Sequence, residues 1–439
     1  MTYQEATEYL FNQTPSFEQQ GVGGYKEGLD NSLKLDEHFG HPHEHFRCIH
    51  VAGTNGKGSV SNMIAAILQI SGYRVGLYTS PHIVDFKERI RVNGTPISEE
   101  YVTKFVEDEK DFFEPLGPTF FELTTAMAFK YFHDSDVDIA IIEVGLGGRL
   151  DCTNIITPIL SIITNISLDH TQLLGNSIEQ IAIEKGGIIK RGIPVVIGEA
   201  TPETREVFDA LATNAHAPII YAEDRNEIIS WEEDLKAGGI CYETKHYGEL
   251  SCELSGSFQP KNMGTVLAAI SQLEQMGYLI EPQGESHSRN VAEEIGNAFK
   301  NVTKITGLLA RWQTVRTNPT VVCDTGHNPG AWEYLGKQLE NVTCRELRIV
   351  FGLVEDKDIY TIMSLLPKKA TYFFTKGSTK RAFPETSLKI FAEQFGLQGN
   401  CYPTVEEAYQ AAMQGTTSED FIFIGGSTYV VADFMKSRI

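Results

Sequence analysis

This sequence predicts an α/β protein built on mostly parallel sheets, and three observations carry that expectation. Nine short apolar runs alternate with helical patterns along most of the chain. A glycine-rich turn with a lysine follows the first of these runs and opens a helix. The chain has 439 residues, and about 150 make a usual domain, so more than one unit is expected.

Composition narrows the class. Hydrophobic residues are 41% and charged residues 22%, which fits a globular chain and excludes a disordered or collagenous one. Lys+Arg total 37 against Asp+Glu 58, a net charge of −21. A surface this acidic repels phosphate backbones, so nucleic-acid binding is not expected. An anionic small substrate would need a local pocket of Lys, Arg and helix N-termini. No apolar run reaches the roughly 18 residues of a membrane span. The opening MTYQEATEYLFNQ lacks the basic and apolar blocks of a secretory leader. Seven cysteines without a CxxC pair read as reduced thiols. A cytoplasmic protein without a membrane partner is expected.

The apolar runs are 48–52, 75–79, 139–144, 160–165, 194–198, 320–323, 347–352, 372–375 and 421–425. Strand, glycine turn and helix in repetition argue for parallel pairing. Residues 229–258 alternate differently and read as a small antiparallel insert. EPQGESHSRN, residues 281–290, is a candidate break, with a helix over 291–299 beyond it. The prediction is a P-loop-containing, mostly parallel N-terminal unit over 1–300 and a smaller Rossmann-like α/β unit over 301–439.

RCIHVA reads as a buried strand and is followed by GTNGKGS. Val60, Met63, Ile64, Ile67 and Leu68 then fall on one helical face. Strand, glycine loop, lysine and helix is the geometry that cradles phosphates, because glycines let backbone N–H groups approach the oxygens and the helix N-terminus adds positive potential. Lys57 would reach the β/γ-phosphates and Ser59 would sit near a metal. The string departs from G-x-x-x-x-G-K-[ST]: residue 51 is Val, and Gly58 follows the lysine.

Polar residues end three further elements. Glu143 closes a buried strand, Asp169-His170 follows another, and Lys185 lies in an apolar helical stretch. Ligands of open parallel sheets bind at such strand ends. The competing structural readings are a cap or ion pair for Glu143, a hydrogen-bonded loop residue for His170 and a snorkelling side chain for Lys185. VVCDTGHNPGAWEYL repeats the pattern, with a strand ending at Asp324 and a turn through His327. The tract DEHFGHPHEHF matches no metal spacing and reads as a solvated loop.

GTNGKGS, TSPHIVDFKERIRVNG, EVGLGGRLDCTN, SLDHTQLLG, IAIEKGGIIK and DTGHNP, in this order, resemble the motifs of the folylpolyglutamate synthase/dihydrofolate synthase family, within the Mur-ligase-like ATP-dependent amide ligases. The resemblance runs on to GGSTYVVADF near the C-terminus. It implies a central-domain-like ATP unit and a C-terminal glutamate-ligase unit. The implied substrates are ATP, L-glutamate and either 7,8-dihydropteroate or a reduced folate, joined through an acyl phosphate. By position, Gly53, Thr54, Asn55, Gly56, Lys57, Gly58 and Ser59 match the ATP loop, and Asn262, Arg311 and Asp324 match further ATP contacts. Ser59, Ser80, Glu143 and His170 match magnesium positions, joined by Lys185, which is carbamylated in the family. Lys57, Lys185, His170 and His327 are the implied catalytic residues. Thr119, Phe120, Phe121, Glu122, Leu150, Asp151 and Cys152 match the pterin pocket, and Gly28, Leu29, Asp30 and Asn31 are assigned to it as well. The loop Lys376–Arg381 is the candidate glutamate contact.

The family also uses potassium, for which this sequence offers no position. TFFE and RLDC favour a bifunctional enzyme over a monofunctional folylpolyglutamate synthase. A cell-wall Mur ligase needs more chain before the loop than the roughly fifty residues here. A non-catalytic nucleotide-binding protein would have no use for Lys57, Ser59, Glu143, His170 and Lys185 together. A monomer is expected. Two departures stand out: the family's Gly-Arg is Ala310-Arg311 here, and its D-G-A-H-N-P is D-T-G-H-N-P.

Overall fold

The computed structural model describes the chain apart from residues 17–19, 25, 27, 235–237, 280–290 and 439, and describes no side chain for residues 13 and 22. The candidate break at 281–290 therefore lies outside the described residues.

The buried runs assemble into an eight-stranded sheet. Its order is Thr95–Pro96, Ile90–Val92, Val75–Tyr78, Ile139–Glu143, Arg47–Ala52, Leu160–Ile163, Val195–Ile197, Ile219–Tyr221. All pairings are parallel except the two at the 90–96 edge, which the sequence reading missed. Arg47–Ala52 lies in the middle, with Val51 opposite Glu143 on one side and Ile162 on the other. That register brings the glycine loop, Glu143 and the residues after Ile163 to one sheet edge, where the strand order reverses and ligands gather.

Helix Lys57–Ile70 follows the loop. The five spaced apolar residues are buried as predicted, but so is every residue from Gly58 to Leu68. Helices Gln259–Gln275, Val291–Lys300 and Val302–Thr306 cover its other side, sharing one core with the sheet. A helix covered on two faces hides Ser61 and Asn62 as well. Asn62 compensates by donating to Gly58 O at 2.7 Å. The insert is an antiparallel sheet of Ile228–Glu233, Ile240–Thr244 and Gly248–Cys252. It lays Tyr242 and Leu250 into the same core.

The histidine tract departs from the expected solvated loop. It forms helix Asp30–His38 and a short turn of helix at Pro42–His45. Buried Asp36 pairs with His41 Nδ1 at 2.7 Å and His43 Nδ1 at 2.6 Å.

A second, six-stranded sheet begins at Gln313. Its order is Gln313–Thr317, Thr320–Cys323, Phe421–Gly425, Leu347–Phe351, Thr371–Phe374, Gln398–Cys401, with only the first strand antiparallel. Trp332, fully buried on helix Pro329–Asn341, meets Phe351 edge-on at 5.4 Å and Phe423 at 5.9 Å. Replacing Trp332 with Ala should cost about 3–5 kcal/mol. Urea unfolding followed by circular dichroism will show the loss as a lowered midpoint.

Candidate active site

The glycine loop leaves its strand at Gly53 with φ +144° and enters the helix through Gly56 at φ +85°. A Cβ on Gly53 would stand 1.9 Å from Thr164 Oγ1, and one on Gly56 2.2 Å from Asn262 Oδ1. Both positions therefore exclude any side chain. The neighbouring strand end braces the turn: Thr54 N donates to Asn165 O at 2.9 Å, and Asn55 N to Asn165 Oδ1 at 2.9 Å. Lys57 Nζ folds back on Gly53 O at 3.0 Å and Thr54 O at 3.1 Å. Ser59 is buried, with its Oγ accepting from Gln259 Nε2 at 3.3 Å.

Lys185 comes to the same carbonyl, with Nζ 2.9 Å from Gly53 O. Burial pulls its pKa down to about 7, and the Lys57 charge pulls the same way. Lys57 is lowered by burial too, against the attraction of Glu143 and Asp169. Glu143 is buried, and among the described residues its carboxylate makes one hydrogen bond, from Ser80 N at 3.2 Å. Burial raises its pKa, with Lys57 opposing. Burial lowers His170 to about 3 and His327 to about 4, so both imidazoles are neutral at pH 7.

The second sheet supplies the facing wall. Its strand Thr320–Cys323 delivers Asp324, whose carboxylate accepts from Trp312 N and Gly326 N, each at 2.7 Å. Arg311 bonds the Thr325 hydroxyl. Its NH2 lies 3.0 Å from where a Gly58 Cβ would stand, so an arginine of the second unit reaches the glycine loop. His327 Nδ1 is 2.9 Å from Thr325 O. Asn328 caps helix Pro329–Asn341, and its Nδ2 donates to Asn55 Oδ1 at 3.0 Å and Asp169 Oδ2 at 2.9 Å.

Asp169 is the meeting point. Lys357 Nζ contacts its Oδ1 at 2.7 Å, and both side chains are nearly buried. His327 Nε2 lies 3.7 Å from the carboxylate and His170 Nε2 3.8 Å. Burial alone would raise the Asp169 pKa, but Lys357 and the two histidines hold it far below the usual carboxylate range. The motif reading reached the two histidines and left Asp169 unassigned. It missed Lys357, Asn165 and Gln259, which no spacing links to the loop.

Lys57, Glu143, Asp169, Lys185, Arg311 and Lys357 line one cleft of about 730 Å³. Its aromatic end is formed by Phe11, Phe120 and Phe121, with Phe11 stacked on Phe120 at 4.4 Å. Thr119, Leu150, Asp151 and Cys152 line it as well. Asp151 spends its carboxylate on Gly145 N, Leu146 N and Thr153 N, which fixes the loop after Glu143. Glu122, Gly28, Leu29, Asp30 and Asn31 are not on the cleft wall. Glu122 lies behind it, closing a capping box with Thr119 and accepting from Asn31 Nδ2 at 3.2 Å. Ser378, Thr379, Lys380 and Arg381 of the candidate glutamate loop line the far side.

Residues 51–270 match the Mur ligase middle domain, and residues 310–428 match the Mur ligase glutamate ligase domain. The dihydrofolate synthase/folylpolyglutamate synthase of Bacillus subtilis is 34% identical over 425 residues, covering 94% of this chain and 95% of that protein. The chain belongs to the dihydrofolate synthase/folylpolyglutamate synthase family. A Mycobacterium tuberculosis folylpolyglutamate synthase solved with ADP and AMPPCP superposes with a TM-score of 0.83 at 29% identity, covering 100% of this chain and 99% of that one. The bifunctional Yersinia pestis enzyme, solved with AMPPNP and manganese, gives 0.79 at 27% identity, covering 100% and 98%. Family members are ATP-dependent ligases, and the cleft between the two matched domains is where this chain gathers the groups described above.

Lys357→Met should cost about 3–5 kcal/mol by leaving Asp169 buried and uncompensated, and adding Asp169→Asn should restore part of it. Because the folded pKa of Asp169 is depressed, this stabilisation is complete above about pH 4 and fades as pH falls below it. Thermal unfolding of the single and double variants across pH checks both statements.

Proposed function

We propose that this chain joins L-glutamate to 7,8-dihydropteroate and to folate γ-carboxylates, as a bifunctional dihydrofolate synthase/folylpolyglutamate synthase. The observation that carries the reading is one cleft that holds a phosphate loop, the His327 turn of the opposite sheet and an aromatic acid pocket. A carboxylate oxygen of the acid attacks the γ-phosphorus of ATP, the bond to the bridging oxygen breaks, and ADP leaves. The glutamate amine then attacks the acyl carbon, loses a proton, and phosphate departs with the C–O electrons.

Loop N–H groups and Lys57 hold the phosphates, and Arg311 reaches the same loop from the second unit. Phe120 and Phe121 offer flat apolar walls to the acid. Asp324 holds Trp312 N and Gly326 N, fixing the turn that carries His327. Closing of the two units over the substrates would exclude water, which would hydrolyse an acyl phosphate.

The residues at the loop fit a magnesium ion. Glu143 is buried with a single hydrogen bond, Ser59 and Ser80 bring hydroxyls, and His170 is a neutral imidazole. Among the described residues no three His, Cys, Asp or Glu side chains are arranged to hold a metal ion by themselves. Hydroxyls and a modified Lys185 would therefore complete the oxygen shell. With its pKa lowered to about 7, a large share of the Lys185 amine is unprotonated near neutral pH, which supports its carbamylation, in which the amine adds to CO2 and loses a proton. When bound, the metal neutralises phosphate charge as the γ-phosphoryl group moves.

Lys57→Ala should lower glutamate-dependent phosphate release by about a thousandfold or more with the fold intact by circular dichroism. Lys185→Ala should be nearly inactive and recover in part with added acetate or formate; full activity without them refutes the carbamate. Chromatography of products from dihydropteroate and tetrahydrofolate, supplied separately, tests the two activities. Product from tetrahydrofolate alone would make the enzyme monofunctional.

A further inference from the structure

One donor in the cleft has no place in the scheme so far. The segment after Ser80 is pinned tightly: the Glu88 carboxylate accepts from Ile83 N at 2.8 Å, Val84 N at 2.9 Å and Asp85 N at 2.8 Å. Arg89, fully buried, lies over the Phe120 ring at 5.0 Å and donates from Nε to His82 Nδ1 at 2.8 Å. A guanidinium only donates. The Nδ1 atom must therefore be the acceptor, and the ring's single proton sits on Nε2. Among the described residues Nε2 has no hydrogen-bond partner, and the ring lines the cleft. It meets the Phe11 ring edge-on at 5.7 Å and lies two residues after Ser80, which lines the same cleft.

We propose that His82 is a substrate-positioning residue whose Nε2–H donates to an acyl or carboxylate oxygen of the acid that is ligated. This rests on the ligase reading above. Arg89 fixes the tautomer, Glu88 fixes the backbone, and Phe11 and Phe86 fix the ring plane, with Phe86 at 6.4 Å. The donor is thus preorganised, and its contact requires no rotamer search. An acid seated against Phe120 would run past this N–H on its way to the phosphate loop.

The test compares His82→Phe, which keeps a ring and removes the donor, with His82→Gln, whose carbonyl can accept from Arg89 while its amide donates. Each is assayed with the acid varied and then with ATP varied. His82→Phe should raise the KM for the acid by about tenfold, the value of one hydrogen bond, leave the KM for ATP unchanged, keep the fold by circular dichroism and lower the Tm, since Arg89 Nε loses its acceptor. His82→Gln should recover most of the loss. An unchanged acid KM in His82→Phe, equal rises for acid and ATP, or no recovery in His82→Gln overturns the assignment. Calorimetric Kd values for pteroate read the same contact without turnover, so the His82 assignment and the ligase reading can fail separately.

Discussion

Two sheets can share one cleft here because a single buried carboxylate is satisfied only by both. Asp169 leaves the strand end of the first sheet, yet its cation, Lys357, and its amide donor, Asn328, belong to the second. A buried charge without partners is costly. Any rearrangement that draws the units apart must either rehydrate Asp169 or carry Lys357 with it. The same Asn328 bonds Asn55 in the phosphate loop. The relative placement of the two parallel-strand edges, and so the meeting of nucleotide and acid, follows from this contact.

The second constraint is electrostatic. The protein carries −21 overall, but Lys57, Lys185, Arg311 and Lys357 all converge on the cleft. Two ammonium groups on the Gly53 carbonyl repel each other; burial is the main cause of the lowered pKa at both lysines, and at Lys185 the Lys57 charge adds to it. Anionic phosphates relieve that repulsion. The site thus gathers cationic side chains locally, against the field of the acidic surface.

The departures from the family pattern acquire a physical sense in three dimensions. Ala310 has φ +56° and Trp312 φ +44°, both in the left-handed region. The family's glycine fits the first without strain, whereas alanine there costs roughly 1 kcal/mol. Thr325, standing where the family has glycine, donates from its backbone to Ala310 O at 3.3 Å and bonds Arg311 through its hydroxyl. Both altered positions therefore border Arg311 and hold the guanidinium against Gly58.

Local pattern was enough to read the parallel strands, the loop at Gly53–Ser59 and the polar residues closing the strands, because alternation, glycine spacing and apolar runs are properties of neighbouring residues. It did not reveal that helix Lys57–Ile70 is covered on two faces, and it misplaced the histidine tract, since what covers a face comes from elements hundreds of residues away or from one buried aspartate. Lys357 lies 188 residues from Asp169 in the chain, and Arg311 and His327 meet the phosphate loop only through sheet packing. Chemistry that depends on distance between groups is decided by tertiary structure, because a linear sequence specifies which groups exist and which adjoin, while burial determines their partners and their charge.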